Sequence, residues 1–182
     1  FRKLRIRWKY LLGIIKIGLP AGLQSMVFSL SNVVIQAAIN SFGSDGIAGS
    51  TAEQNFEFMA YFVINAFAQT ATTFTSQNFA AQDKERCKKI YRLCTFIGLA
   101  SCLGLSLIFL IGRHLFIQIF STDENVIHYA MIRMWSVCLL ELLTGVYEIS
   151  GGCLRGMGHS MTPAVITVLG TCVFRLVWVN TI

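Results

Sequence analysis

IGLPAGLQSMVFSLSNVVIQAAINSFGS, residues 17–44, contains no Asp, Glu, Lys or Arg. About 20 predominantly apolar residues cross the hydrocarbon core of a bilayer as a helix, so this stretch is long enough to span. Residues 58–82, 93–112 and 156–174 are likewise uncharged, and short charged segments separate them. A chain punctuated in this way reads as an all-α integral membrane protein, because a helix satisfies its own backbone polar groups where no water can.

Composition leads the same way. Hydrophobic residues make up 54% of the 182 and charged residues 13%, with a mean hydropathy of +0.61. That exceeds what a soluble domain of this size needs for its core. The net charge of +6 would suit a nucleic acid, but the basic residues cluster beside apolar segments. They read instead as flanks of membrane spans, so the expected surroundings are a lipid bilayer and no nucleic acid. Six cysteines lack CxxC or other metal-ligand spacing and read as small packing residues. The start at Phe1 and the stop in an apolar run read as a fragment of a longer protein.

Five spans follow, at about 17–42, 56–80, 91–120, 125–154 and 162–182. Pro20 lies near the start of the first, Gly43-Ser44-Asp45-Gly46 forms the next turn, and Thr122 or Asp123 caps the fourth helix. Residues 1–16 form a basic segment, either a helix in the interface or a cytoplasmic linker. Lys and Arg crowd the N-terminal segment and the connection around residues 84–92, whereas residues 43–57 and 121–127 carry only acids. This alternation predicts a cytoplasmic N-terminal end.

Polar residues inside the spans are the functional candidates. Ser25, Ser29, Asn32, Gln36 and Asn40 fall within an arc of about 80° on the first helix, and Asn65, Gln69, Thr72 and Ser76 form a stripe on the second. Such stripes either glue helices together or line a water-accessible cavity, and two on consecutive helices favour a shared cavity. On the fourth helix Glu141 and Glu148 share a face with Gly145 and Gly152. A carboxylate at membrane depth points to coupling-ion, proton or substrate binding, with glycines beside it allowing close approach. Otherwise a glutamate pairs with an arginine, Arg175 being the one well inside a predicted span, or lies near the surface. No phosphate loop, nucleophile elbow or metal motif is present, so nothing in the sequence argues for an enzyme or a cofactor.

Four segments together resemble the multidrug and toxic compound extrusion (MATE) family of secondary transporters. They are Gly18-Leu19-Pro20 opening a helix, residues 42–49 (FGSDGIAG), residues 76–83 (SQNFAAQD), and residues 154–163 (LRGMGHSMTP). The resemblance implies a twelve-helix protein of two six-helix lobes, of which residues 17–182 are part of the C-terminal lobe and the N-terminal lobe is missing. It further implies a multi-pass plasma-membrane exporter of small cationic or amphipathic substrates, driven through alternating access by inward Na⁺ or H⁺. Some members bind the coupling cation with a carboxylate on the seventh helix, where this chain has Ser29. Glu141 and Glu148, with Na⁺ a candidate ligand of Glu148, therefore stand on the physical argument, and Asn32, Gln36, Asn65 and Gln69 would hydrogen-bond substrate. The alternatives are a flippase for lipid-linked oligosaccharides, which should show a more basic cavity, and a non-transporting membrane scaffold.

Overall fold

A computed structural model of the chain describes residues 7–181, and among these there are helices and turns but no strand. The long helices are α1 (Trp8–Asn40), α2 (Gly43–Ala80), α3 (Lys84–Ile111) and α5 (Glu124–Gly156), with a short α4 (Arg113–Gln118) after α3. The last rod is α6 (Met161–Thr167), a π-helical turn (Val168–Val173) and α7 (Phe174–Thr181). On length and apolar composition α1 and α3 qualify as spans, and α5 joins them when its parts, Glu124–Cys138 and Leu140–Gly156, count as one.

Several boundaries differ from the sequence expectation. Residues 8–16 of the basic segment continue α1, while 1–6 lie outside the described residues. Pro20 therefore sits within α1 rather than near its start. The four-residue turn at 43–46 is instead the first turn of α2, and only Ser41 and Phe42 form the reversal. Gly43 takes a φ of +78°, open to glycine at no steric cost, and Asp45 sits where the helix dipole favours an acid. The long third helix is broken at Gly112. That break lets Phe116 turn back to Phe56 and Phe109, with ring centroids 5.8 and 5.6 Å away, closing one end of the bundle. Asp123, not Thr122, caps α5, its Oδ1 accepting from the Asn125 N–H at 2.9 Å.

The core is built around α2, which packs against both α5 and α3. Its buried face runs through Gly49, Ala52, Phe56, Ala60, Ile64, Ala68 and Ala71. A face this rich in small residues lets another backbone come close, which in a membrane supplies the van der Waals contact that the hydrophobic effect does not. At Gly152 of α5 an added Cβ would lie 2.5 Å from the Ala68 carbonyl oxygen, and at Gly156 2.6 Å from that of Thr72. Thr72 Oγ1 donates to the Gly152 carbonyl at 3.0 Å across the same seam. Gly145 and Gly152 thus serve helix packing, not approach to a ligand. α1 is the outlier: Ser31 is its one buried residue among those described, and it leans on α2, α6, the π-turn and α7.

Gly152→Ala is expected to destabilise the full-length protein by about 1–3 kcal/mol, because a backbone carbonyl cannot yield as a side chain would. Gly104→Ala, with open space around it, should be neutral or slightly stabilising. Thermal unfolding of both variants in detergent checks the pair, and equal melting temperatures would contradict this account of the seam.

Candidate functional site

Two cavities with polar side chains in their walls lie in the groove between α1 and the α2–α5 pair. The first, of about 330 Å³, is walled by Asn32 and Gln36 from α1, Glu57 from α2, and Arg133 and Glu141 from α5, with Arg175 of α7 over it. The second, of about 540 Å³, is walled by Ser25 from α1, Asn65, Gln69 and Thr72 from α2, and Glu148 and Arg155 from α5. The single shared cavity expected from the stripes is therefore two. Among the described residues Tyr61 is the one side chain that lines both. It sits between them because it lies four residues, one turn, before Asn65 on the same face of α2. The Asn65 amide donates to its hydroxyl at 3.4 Å.

The two α5 carboxylates occupy different cavities and different environments. Glu141 is 7% exposed, and its Oε1 is buried with no hydrogen-bond partner among the described residues. An acceptor left in this state at membrane depth is costly unless a proton or cation meets it. Glu148 Oε2 instead accepts from Arg155 Nη2 at 3.4 Å. Its partner is thus an arginine seven residues along its own helix and not Arg175, and a Na⁺ at Glu148 would share the carboxylate with a guanidinium. Arg175 reaches α1: its Nη1 donates to Asn32 Oδ1 at 2.8 Å, and its guanidinium carbon stands 5.5 Å from the Phe28 ring centroid. Gln36 donates to Asn40 Oδ1 within α1 at 3.1 Å, whereas Gln69 stays exposed in the second cavity.

Sequence reasoning missed the strongest charged cluster. Arg133 Nε lies 2.6 Å from Glu53 Oε2, its Nη2 lies 2.9 Å from Glu57 Oε2, and its Nη1 donates to the Ser50 hydroxyl. Glu53 is 1% exposed. Both acids lie on α2, in the stretch 43–57 that the charge pattern reads as a connection. The available signal was their spacing of four, which stacks two carboxylates on one helical face toward a partner cation. The guanidinium fork suits this arrangement because it can hold two carboxylates at once.

Residues 20–179 match the sequence model of the MatE family. The chain belongs to the MatE family. Similar curated proteins are the probable multidrug resistance protein NorM of Thermotoga maritima, 21% identical over 93% of this chain and 37% of that protein, and the probable multidrug resistance protein YoeA of Bacillus subtilis, 22% identical over 92% and 36%. The multidrug export protein MepA of Staphylococcus aureus is 24% identical over 86% and 34%. This MatE chain thus spans about a third of the length of the relatives it matches. Its all-helical architecture, with apolar helices of spanning length, is that of a multi-pass MatE membrane protein.

Removing Arg133 from this MatE chain would strand Glu53 in a buried site. Arg133→Met in the full-length protein should cost about 3–5 kcal/mol, and adding Glu53→Gln should recover part of that loss. Glu57→Gln, which leaves the inner pair intact, should cost less. Detergent unfolding of the three variants reads the order, and an Arg133→Met melt equal to that of the parent would refute a stabilising role for the cluster.

Proposed function

We propose that this chain is part of the C-terminal lobe of a cation-coupled exporter of small cationic or amphipathic molecules. The observation that carries the reading is Glu141, a buried carboxylate with an unpartnered oxygen in the wall of the first cavity. In a medium of low dielectric such a group attracts a cation far more strongly than it would in water. The same carboxylate can take a proton, which removes the charge that holds a cation. A proton or Na⁺ arriving at Glu141 and an organic cation leaving it is therefore an exchange of one positive charge for another.

The multidrug names of NorM, YoeA and MepA support the same direction. Tyr147 and Phe58 give the Glu141 cavity aromatic walls beside its amides, which suits substrates that are cationic at one end and apolar at the other. Alternation would come from rocking this lobe against its counterpart, so that the groove faces each side of the membrane in turn. With the N-terminal end of α1 in the cytoplasm, the Glu148 cavity lies nearer the cytoplasm and the Glu141 cavity farther from it. A flippase for an oligosaccharide linked through phosphates is less well served, because neither cavity is basic: Glu57 and Glu141 balance Arg133 and Arg175 in the first, and Glu148 balances Arg155 in the second.

The test is efflux of a fluorescent cationic dye from cells expressing the full-length protein under imposed Na⁺ and pH gradients. Glu141→Gln is expected to lower gradient-driven efflux at least about tenfold, equivalent to losing a charge-assisted contact of about 1.4 kcal/mol. Glu148→Gln, whose carboxylate already has Arg155, should lower it less. Full efflux from both variants at normal expression would sink the assignment.

A further inference from the structure

Arg175 makes contacts that a cationic substrate would be expected to make. Phe28 and Asn32 lie four residues apart on α1, so an aromatic ring and an amide oxygen are presented on one face. Across the groove, the Arg175 guanidinium carbon stands 5.5 Å from the ring centroid while Nη1 donates to Asn32 Oδ1 at 2.8 Å. A ring face and a carbonyl-type acceptor, in one cavity with the Glu141 carboxylate, form a receptor for a positively charged organic group. Among the described residues Arg175 has no carboxylate within ion-pair distance, so its charge is held at this face by the ring and the amide.

We propose that Arg175 is a tethered stand-in for the exported cation. It fills a subsite formed by the Phe28 ring and the Asn32 amide oxygen, and an organic monocation entering the cavity displaces it. The idea rests on the exporter reading for what the cation is, but the competition itself concerns binding alone. Displacement also has a structural consequence, because the Arg175–Asn32 bond ties α7 to α1 directly over the groove. The π-helical turn Val168–Val173 ends two residues before α7's Arg175, and its Thr171 lines the same cavity. Such turns carry one extra residue per loop of helix, so relaxation to α geometry rotates the following residues by roughly 100°. A freed Arg175 therefore has a way to leave the ring without unfolding its helix, and substrate binding would loosen α1 from α7.

The experiment is equilibrium binding of tetraphenylphosphonium to the purified full-length protein and its variants. Removing the competitor in Arg175→Gln should tighten binding about fivefold or more, the scale of one cation–π contact. Phe28→Leu, which leaves every charge in place, takes the ring from competitor and ligand alike, so alone it should change binding about twofold or less and should cut the Arg175→Gln gain to about the same. Equal or weaker binding in a folded Arg175→Gln protein overturns the proposal. Should that variant fail to fold, Arg175→Met, which keeps apolar length without the charge, replaces it, and equal or weaker binding there overturns the proposal as well. Dye efflux separates this idea from the one it rests on. Intact efflux with no Arg175→Gln gain removes only the competition. Absent efflux with the gain preserved removes the exporter reading and leaves the cation subsite standing.

Discussion

Where α2 and α5 cross, one helix repeatedly offers a residue with little or no side chain. Gly49 faces the Val126 carbonyl, Gly152 faces that of Ala68, and Gly156 faces that of Thr72. Helices in lipid gain little by burying apolar surface, so contact of this closeness is what fixes their relative position. Everything polar in the groove depends on it. Glu141 and Glu148 reach separate cavities because α5 is held at one register against α2, and Arg133 can grip Glu53 and Glu57 only at that same register.

The energetic logic of the groove follows from that seam. Polar side chains in hydrocarbon must find partners, and most of those here find local ones: Thr72 with the Gly152 carbonyl, Gln36 with Asn40, Asn65 with Tyr61. These are bonds that hold helices and rotamers in place. Glu141 shares an unmet buried oxygen with the hydroxyls of Ser31, Thr95, Ser106 and Ser160, but as a carboxylate it can take a proton or hold a mobile cation there. The Arg133 cluster is of the first kind and Glu141 of the second, although both line one cavity.

Much of this was legible in the sequence, and the failures have physical causes. Four uncharged runs marked helical segments, because the bilayer imposes a length that soluble folds do not, whereas α5, with Arg133, Glu141 and Glu148, carries no such run. Asn32 and Gln36 line the first cavity and Asn65 and Gln69 the second, on stripes that periodicity reveals because 3.6-residue spacing is set by the backbone alone. Glycines were the weak point. Gly43 and Gly46 resembled a loop but start a helix, Gly46 being small because Phe42 folds back on it, its absent Cβ falling 2.6 Å from Phe42 Cβ. Reading residues 43–57 as a connection hid that Glu53 and Glu57 lie on one face of α2, and with it the Arg133 cluster. Nor does a stripe announce where a bulky neighbour interrupts it, so the division at Tyr61 needed coordinates.

The central claim is that a polar, water-accessible groove runs inside the membrane beside α5, with lipid on its other side. Single cysteines at Thr144, which lines the Glu141 cavity, and at Leu143, 67% exposed and outside both cavity walls, sit next to each other and test it directly. In a cysteine-free full-length protein in membranes, a charged methanethiosulfonate reagent should label Thr144→Cys and leave Leu143→Cys unmodified. Labelling at Leu143→Cys alone, or at neither position, would contradict the groove.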